Sequence, residues 1–327
     1  MPFVSTAARM TLGLSPFENA LIQQGVFRSP LTISRAQAAG VQSSALAADD
    51  VALQFFDADT PRFSGSARRL LVEGSRANLI EGMAAPVTQN VTVTAAVHTL
   101  SFWGTGSIVL SGAASGTLNG TGANNRVTLT FTPTAGTLTL TISGAVTRAQ
   151  LGLGSFASSY IQSPSGAATR GADLVTASLA GLGVPSTGGC TILWSGVVPN
   201  LNPAAPMQIW QVDDGGNTNR MFLRVAQNSN QLNFFVFGAT QSALGNFTAG
   251  APFKAGTSYD PATGRMGASL NGAPVVATTG GTLAGATSFR VGHQPSGAAD
   301  AFMETGYLRV LPPVSDADLQ ALTLAMP

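Results

Sequence analysis

Residues 127–142 read Val127-Thr-Leu-Thr-Phe-Thr-Pro-Thr-Ala-Gly-Thr-Leu-Thr-Leu-Thr-Ile142. On both sides of the turn at Pro133–Gly136, apolar residues alternate with threonine, and this period of two is typical of strands that bury one face. The stretch predicts a β-hairpin with one apolar face and one threonine face. Similar alternation at residues 91–93 and 108–110, with Gly-rich turns between the runs, extends the prediction to a small antiparallel β-sandwich.

A second group of alternating runs predicts another all-β module, and Asn271-Gly272 is its clearest hairpin turn. One helix is predicted after Ser315, because serine is a favoured N-cap and Asp316 and Asp318 lie in the first turn. The predicted fold class is all-β: two antiparallel jelly-roll-type β-sandwiches in tandem, with an irregular N-terminal arm and a short C-terminal helix. The predicted strands of the second module are 191–198, 208–212, 221–226, 232–237, 266–270, 274–278, 288–292 and 307–311.

Breaks in the alternation divide the chain into five predicted segments. The first thirty residues are irregular, although apolar residues at helical spacing over 17–24 are compatible with a short helix. This first segment is an anchoring arm, a disordered tail or an edge strand on the next domain, and the sequence leaves the three open. The segments are an N-terminal arm at 1–30, a strand and turn adaptor at 31–80, the small sandwich at 81–160, a connector at 161–174 and the second sandwich at 175–327.

Charged residues are scarce and balanced. They make up 9% of the chain, with 16 Lys+Arg against 15 Asp+Glu and a net charge of +1. A chain of this kind lacks the basic surface that nucleic-acid binding requires. Its apolar runs are interrupted well before the roughly 20 residues of a membrane span, so no membrane insertion is expected. No basic residue lies near Met1, which argues against a secretion signal and for a chain that starts in the cytoplasm.

No cofactor is expected from the residues that usually hold one. The two histidines, His98 and His293, and the single cysteine, Cys190, are too few and too far apart in sequence for a zinc site. Cys190 opens an apolar run, which favours a buried structural thiol over a nucleophile.

Several short motifs follow one another in an order that resembles bacteriophage tail-fibre and spike proteins, over about residues 31–327. The resemblance implies that the first sandwich is a carbohydrate-binding jelly roll and the second a concanavalin A-like or laminin G-like sandwich. Gly152 and Gln162 depart from the family pattern, which usually has an acid and a proline there. The motifs lie at Pro61–Phe63, Leu70–Ile80, His98–Gly106, Leu110–Gly112, Phe131–Leu138, Ala149–Ile161, Thr169–Asp173, Leu270–Pro274, Phe289–His293, Gly306–Val310 and Ser315–Leu322.

Carboxylates are missing where glycoside hydrolysis would need them. No Asp or Glu lies between Glu81 and Asp173, and cleavage normally needs two carboxyl groups across the scissile bond. In the second module Asp213 and Asp214 are adjacent at a turn, so they do not alternate along one strand face. We therefore expect a protein that is not an enzyme.

Sugar binding needs an exposed aromatic ring beside planar polar groups. Trp210 is flanked by Gln208 and Gln211 and leads into a polar loop at 213–219, whereas Trp194 lies in an apolar strand and is expected in the core. Packing of all three tryptophans inside the modules is the competing interpretation. Two aspartates of the loop are also an alternative calcium site, because hard cations take carboxylate oxygens, although a plain hairpin turn accounts for them too. The candidate ligand-binding residues are Trp210, Gln208, Asp213, Asp214, Asn217, Asn219, Arg224 and Trp103.

The resemblance implies a virion protein, either a tail fibre or a head spike of a tailed phage or gene transfer agent. Such a protein is assembled in the bacterial cytoplasm and lies on the exterior of the particle. Residues 1–30 would attach it to other virion proteins, its sandwiches would contact host-cell surface polysaccharide, and the chain would form a homo-oligomer. Two alternatives stay open: a structural spike-base or adaptor protein packing on capsid or tail proteins, and a capsular polysaccharide depolymerase.

Overall fold

The computed structural model describes residues 20–81, 85–162, 166–202, 205–296 and 301–327. The chain folds as two units. Unit 1 is formed by residues up to 33 together with 67–72 and 174–327, and unit 2 by residues 34–66 and 73–173. Each unit is assembled from segments that are separated in sequence. The domains predicted from the sequence were contiguous.

Antiparallel strands account for almost all of the regular structure, so the predicted all-β fold class is confirmed. The one helix in the described ranges is α1 (Asp316–Ala325). The strands are β1 (Ile22–Gln23), β2 (Val26–Phe27), β3 (Thr32–Ser34), β4 (Gln42–Leu46), β5 (Leu53–Phe56), β6 (Phe63–Ser64), β7 (Arg69–Glu73), β8 (Arg76–Asn78), β9 (Gln89–Val93), β10 (His98–Gly104), β11 (Ser107–Gly112), β12 (Gly116–Asn119), β13 (Gly122–Phe131), β14 (Gly136–Ser143), β15 (Val146–Leu153), β16 (Ile161–Gln162), β17 (Ala168–Arg170), β18 (Leu174–Ser178), β19 (Cys190–Val197), β20 (Met207–Asp213), β21 (Arg220–Val225), β22 (Gln231–Val236), β23 (Ser242–Asn246), β24 (Pro252–Asp260), β25 (Arg265–Leu270), β26 (Val276–Thr278), β27 (Ser288–Val291) and β28 (Phe302–Leu311).

Unit 1 is a sandwich of two sheets. Sheet A has the order β2-β1-β28-β19-β24-β25-β26, with β7 also paired to β28, and sheet B has the order β23-β22-β21-β20-β27-β18-β3. Every strand that the sequence predicted for the second module overlaps an observed strand. The sequence missed β18, β23 and β24. Most residues of β24, an interior strand of sheet A, are buried on both faces and so show no alternation.

Helix α1 packs on sheet A and begins as predicted. Ser315 is the N-cap, and its Oγ accepts a hydrogen bond from the backbone N–H of Asp318 at 3.2 Å. A Cβ atom on Gly256 of β24 would lie 1.9 Å from Thr323 Oγ1, so the helix can approach this strand only because the residue is glycine. No helix in the described ranges has the length and hydropathy that a membrane crossing requires.

The described end of the predicted N-terminal arm belongs to sheet A. Residues 20–24 are strand and turn, and β1 pairs with β28 so that Ile22 lies opposite Leu308. The helix expected over 17–24 is therefore wrong for these residues, because the edge of β28 supplies the partners for their backbone hydrogen bonds. Residues 1–19, the rest of the arm, lie outside the described residues.

Unit 2 contains a smaller sandwich. Sheet C has the order β13-β10-β15, and sheet D has the order β12-β11-β14-β9. Apolar side chains of both sheets meet in one core, which the predicted alternation identified. Its fully buried members include Leu100, Phe102, Ile108, Leu138, Leu140, Ala149 and Leu151.

The two strands predicted as a hairpin belong to different sheets. Leu129 of β13 lies opposite Leu100 in sheet C, whereas Leu140 of β14 lies opposite Leu110 in sheet D. The hairpin prediction is wrong, although both strands and their apolar faces are confirmed. The alternation determines which face of a strand is buried, and two such faces can meet across a sandwich as well as side by side in one sheet.

The predicted connector contributes to the interior of unit 2. Its first described part, β16, pairs with β4, and β17 pairs with β8. Arg170 and Asp173, near its end, are fully buried. The connector therefore supplies buried contacts as well as linking the predicted modules.

Five charged side chains form a buried ionic cluster in unit 2, namely Arg35, Arg62, Glu73, Arg170 and Asp173. Asp173 Oδ1 accepts from Arg35 Nη1 at 2.8 Å, and its Oδ2 accepts from Arg62 Nη2 at 2.6 Å. Glu73 Oε2 accepts from Arg62 Nη2 at 3.0 Å and from Arg170 Nη1 at 2.8 Å. Each buried charge needs a partner of opposite sign. By pairing with one another, these side chains connect segments that are distant in sequence.

Candidate functional site

One face of sheet B carries polar, charged and aromatic side chains. Successive side chains of a strand point to opposite faces, so Trp210 of β20 points into the core of unit 1 and Gln211 to the other side. The cross-strand partners of Gln211 extend this second face over neighbouring strands. We call it the polar face, and its residues are Gln208, Gln211, Asp213, Arg220, Phe222, Arg224, Asn233, Phe235 and Arg290.

A single row of side chains crosses the polar face. Arg290 of β27 lies opposite Gln211, Gln211 lies opposite Phe222 of β21, and Phe222 lies opposite Phe235 of β22. At the usual spacing between strands the row is about 14 Å long. It places a guanidinium group, an amide and two aromatic rings side by side.

Arg220, Phe222 and Arg224 occupy alternate positions of β21 and therefore share the polar face. The Cζ atom of each arginine lies 4.8 Å from the centroid of the Phe222 ring. Phe235 stacks on the same ring at 5.1 Å with an interplanar angle of 25°. Phe222 is only 3% exposed, whereas both arginines and Phe235 are half-buried. Cation–π contact with a buried ring holds both guanidinium groups at defined places on the face.

Asp213 holds the third arginine of the face and orders two amides beside it. Its Oδ2 accepts from Arg290 Nε at 2.8 Å and its Oδ1 from Arg290 Nη2 at 3.3 Å, while the Gly215 N–H donates to Oδ1 at 2.9 Å. Gln211 Nε2 donates to Asp213 Oδ2, and Gln208 Nε2 donates to Gln211 Oε1, each at 3.0 Å. Asp213 and both amides are buried. They form a polar floor whose geometry is set before any ligand arrives.

Positive charge predominates on the polar face. Its three arginines and one aspartate leave an excess of two positive charges, in a chain whose net charge is +1. Arg220 and Arg224 form no ion pair with any residue in the described ranges. Burial lowers the pKa of both guanidinium groups. The charge of Arg224 lowers the pKa of Arg220 further, while the charge of Asp213 raises it. The two cations therefore repel each other in a partly desolvated place.

Two cross-strand partners on the polar face have polar atoms that the described residues leave unsatisfied. Gln208 lies opposite Arg224 in the β20–β21 register. Arg224 Nη2 donates to Gln241 Oε1 at 2.9 Å, but Arg224 Nε and Gln208 Oε1 are both buried and have no hydrogen-bond partner. Because buried polar atoms are usually paired, the face has hydrogen-bonding capacity beyond what its own side chains use.

The tryptophan rings expected to stack on a sugar are buried. Trp210 is 0% exposed, with phenylalanine rings at 6.0 and 6.5 Å. Trp103, in unit 2, is 5% exposed and lies beneath Arg126, whose Cζ is 4.6 Å from the ring centroid. A buried ring has no free face for a sugar, so the expectation for Trp210 and Trp103 is corrected. Both pack in their units, as Trp194 does.

The loop after β20 carries the remaining candidates. Asp214 and Asn217 are exposed and Asn219 is half-buried. Hydrogen bonds from Asn219 Nδ2 at 3.0 Å and from the Gly216 N–H at 2.9 Å lower the pKa of Asp214. Arg220 Nη1 donates to Asn217 Oδ1 at 3.4 Å. The loop thus lies at the rim of the polar face, and Asn217 joins the two.

The calcium alternative involves aspartates that already have partners. Asp213 accepts hydrogen bonds from Arg290, and Asp214 accepts them from Asn219. A cation bound by this pair would have to replace those contacts. In the described parts of the chain, no group of three or more His, Cys, Asp and Glu side chains is placed to hold a metal ion. The calcium site stays a prediction.

Cys190 and His293 are packing residues of unit 1. Cys190 is buried, and burial raises the pKa of its thiol to about 12, which suppresses the reactive thiolate. The interpretation of Cys190 as a structural thiol is confirmed. His293 is buried too, with ring nitrogens 3.0 Å from Gln294 O and 3.2 Å from Val175 O, and burial lowers its pKa.

Sequence reasoning identified part of the polar face. Gln208, Asp213 and Arg224 were predicted and lie on it, whereas Arg220, Phe222, Phe235 and Arg290 were missed. The alternation in Arg220-Met-Phe-Leu-Arg224 was a usable signal, because it places two arginines and a phenylalanine on one strand face. No local pattern connects Arg290 to them, since it comes from a strand much later in the chain.

Comparison with known proteins finds resemblance in structure only. No protein-family model and no curated protein matches the sequence. The carbohydrate-binding module (CBM40) of the Ruminococcus gnavus IT-sialidase is 15% identical with a TM-score of 0.36, and the match covers 42% of this chain and 84% of that one. The leech intramolecular trans-sialidase is 14% identical with a TM-score of 0.35, covering 43% and 24% of the two chains. The heptameric SAP-like pentraxin of Limulus polyphemus is 12% identical with a TM-score of 0.33, covering 41% and 69%.

Proposed function

We propose that the polar face binds a saccharide of the host-cell surface. The row from Arg290 to Phe235 carries this proposal, because the half-buried guanidinium group of Arg290 can orient sugar hydroxyls and the half-buried ring of Phe235 offers them an aromatic edge. Phe237 follows two residues after Phe235, is 37% exposed and adds apolar surface at the end of the row. The buried floor of Gln208, Gln211 and Asp213 supports these contacts rigidly.

In this proposal the chain is a virion structural protein, a tail fibre or head spike on the exterior of a phage or gene transfer agent particle. The ordered motifs over about residues 31–327 support this part, and assembly takes place in the bacterial cytoplasm. Residues 1–30 attach the chain to other virion proteins. A homo-oligomer presents several polar faces at once, so weak affinities multiply through effective concentration. Nucleic acid and the membrane interior are not its partners.

The proposed activity is binding without cleavage. A glycosidase needs a general acid whose pKa is raised. Asp213 is held by Arg290 in a two-point ion pair, and hydrogen bonds lower the pKa of the exposed Asp214. Asp214 lacks the raised pKa of a general acid, and the Asp213 carboxylate is occupied by Arg290, which supports a non-enzymatic role.

Purified full-length chain is expected to compete with particles for host cells. Adsorption should fall as the protein saturates its receptors, and polysaccharide recovered from the cells should keep its original length. Counting unadsorbed particles at increasing protein concentration measures the first effect, and size-exclusion chromatography measures the second. Unchanged adsorption at saturating protein contradicts the receptor-binding role, and shortened polysaccharide contradicts the absence of cleavage.

A structural role is the second candidate, and the outer face of sheet D favours it. Around the exposed Val109, this face is made of threonine, serine and asparagine side chains. Some of them pair with one another, as in Thr139–Asn90 and Ser107–Ser143, each at 2.8 Å. Uncharged hydroxyl-rich surface is suited to packing against another protein subunit. A spike-base or adaptor role would survive a negative result in the competition experiment.

Trp210→Phe is expected to leave saccharide binding unchanged and to lower the free energy of unfolding by about 0.5–3 kcal/mol. The reason is that the Trp210 ring fills the core of unit 1 and does not reach the polar face. Thermal unfolding and binding to host-surface polysaccharide, measured on the same preparation, test both parts. Trp194→Phe, in the core side of sheet A, is the matched control. If Trp210→Phe abolished saccharide binding and Trp194→Phe did not, the Trp210 ring would have to be part of the binding site.

A further inference from the structure

We infer that the saccharide bound by the polar face is acidic, and that its anionic group is recognised by Arg220 and Arg224. This inference rests on the proposed function and adds the chemical class of the ligand. An anionic group on a sugar is a carboxylate or a sulfate or phosphate ester, and all three match the planar donor geometry of a guanidinium group.

The balance of charge is the first reason. Three guanidinium groups share the polar face with one carboxylate, and that carboxylate, Asp213, is already paired with Arg290. Arg220 and Arg224 have no carboxylate partner among the described residues. The positive charge they contribute is therefore left for a ligand to neutralise.

The position of the two arginines is the second reason. Both guanidinium carbons lie 4.8 Å from the centroid of one buried ring, Phe222, so the two charges are no more than twice that distance apart. Gln211 and Asn217 hold Arg220 through hydrogen bonds of 3.3 and 3.4 Å, and Gln241 holds Arg224. An anionic group at the surface above Phe222 lies between both charges.

The cost of a neutral ligand is the third reason. An uncharged sugar bound above Phe222 would remove water from the guanidinium groups of Arg220 and Arg224. It would bring no negative charge to offset the repulsion between them. An anion brings the missing opposite charge and gains charge-assisted hydrogen bonds to groups that the protein already holds in place. The polar face is therefore expected to bind acidic sugars more tightly than neutral ones.

Matched pairs of immobilised glycans test the inference on the full chain. Each acidic glycan, carboxylated or sulfated or phosphorylated, is paired with its neutral form, in which the carboxyl group is reduced to an alcohol or the ester is removed. Binding to acidic members is expected to exceed binding to their neutral forms by about 10- to 100-fold, as for hydrogen bonds to a charged group. Binding should also weaken as ionic strength rises.

Arginine variants locate the effect. Arg220→Gln and Arg224→Gln are each expected to weaken binding to acidic members by about 10-fold or more and so to reduce the ratio of acidic to neutral binding. Arg224→Lys, which keeps the charge and loses the planar fork, should be intermediate. Arg28→Gln, at an exposed position of unit 1, is the matched control. Equal melting temperatures show that the variants fold.

The outcomes separate this inference from the proposed function. Equal binding to acidic and neutral members overturns the acidic ligand and leaves saccharide binding in place. Preference for acidic members that survives both Gln substitutions overturns the assignment to Arg220 and Arg224. Absence of binding to every member overturns saccharide binding and the acidic ligand together.

Discussion

Asp173→Asn is expected to lower the free energy of unfolding of unit 2 by about 3–5 kcal/mol, the usual cost of breaking a buried ion pair from one side. Asp173 is fully buried and receives Arg35 at one carboxylate oxygen and Arg62 at the other. The backbone N–H of Glu73 also donates to Oδ2 at 2.8 Å. Asparagine has nearly the same shape, so the substitution removes the charge with little change in packing.

The expected loss is large because the arginines cannot move to water. Arg35 and Arg62 have side chains that are 0% exposed. The other hydrogen bonds of the Arg35 guanidinium group go to neutral acceptors, including Thr60 O at 3.0 Å and Gln37 Oε1 at 2.6 Å. The backbone N–H of Arg35 donates to Asp59 Oδ1 at 2.7 Å. After the substitution, Arg35 keeps its charge in a low-dielectric interior and has lost its ion-pair partner.

Chemical unfolding of the full chain, followed by a probe in unit 2 such as hydrogen exchange of the β10 amides, measures the effect. Asp57→Asn is the matched control, because Asp57 is an exposed aspartate of unit 2 that accepts a hydrogen bond from Gln42 at 3.0 Å. Surface substitutions of this kind change stability by about 0.5 kcal/mol or less. Equal and small effects of both substitutions would show that the ionic cluster does not hold unit 2 together.

Unit 2 is expected to lose about 3 kcal/mol of stability between about pH 4.5 and pH 2 through Glu73 alone. Burial by itself would raise the pKa of Glu73, but the charges of Arg170 and Arg62 and hydrogen bonds from Ser159 outweigh it and lower the pKa from 4.5 to about 2. The folded-state pKa thus lies below the unfolded-state value. The stabilisation is complete above pH 4.5 and declines as pH falls, until Glu73 is protonated in both states.

The measurement is the free energy of unfolding as a function of pH for the wild-type chain and for Glu73→Gln. The variant is less stable at neutral pH and should lack the loss of stability that Glu73 causes below pH 4.5. Glu81→Gln, at an exposed position of unit 2, is the control and should follow the wild-type curve. Parallel curves for wild type and Glu73→Gln would exclude Glu73 as the source of the acid sensitivity.

Both expectations concern residues whose partnership no local pattern reveals. Arg35 and Arg62 lie in one segment of unit 2 and Asp173 at the end of the other. Only the Arg170–Asp173 pair, at 3.5 Å, has a local (i, i+3) spacing. The sequence showed that acids are absent between Glu81 and Asp173. It did not show that the two acids at the beginning and end of unit 2's second segment, Glu73 and Asp173, share the same arginines.

The candidate site, too, was only partly predictable from the sequence. Gln208 and Asp213 were predicted because they lie close to Trp210 in sequence, and Arg224 because it lies on the next predicted strand. All three do lie on one face of sheet B. Trp210 itself was expected on that face, but alternation along β20 turns its ring into the core. A side chain's neighbours in sequence do not reveal its direction when a bulge shifts the register, as it does between Gln208 and Trp210.

The sequence by itself determined the strands, the buried faces of residues 127–142 and the Ser315 helix cap, because each follows from contacts within a few residues. Only the tertiary structure decided which strands pair. It placed β13 and β14 in different sheets and brought Arg290 opposite Gln211. The reason is physical: alternation requires that a face be buried, but many partners can bury it. The choice among them depends on how the whole unit packs.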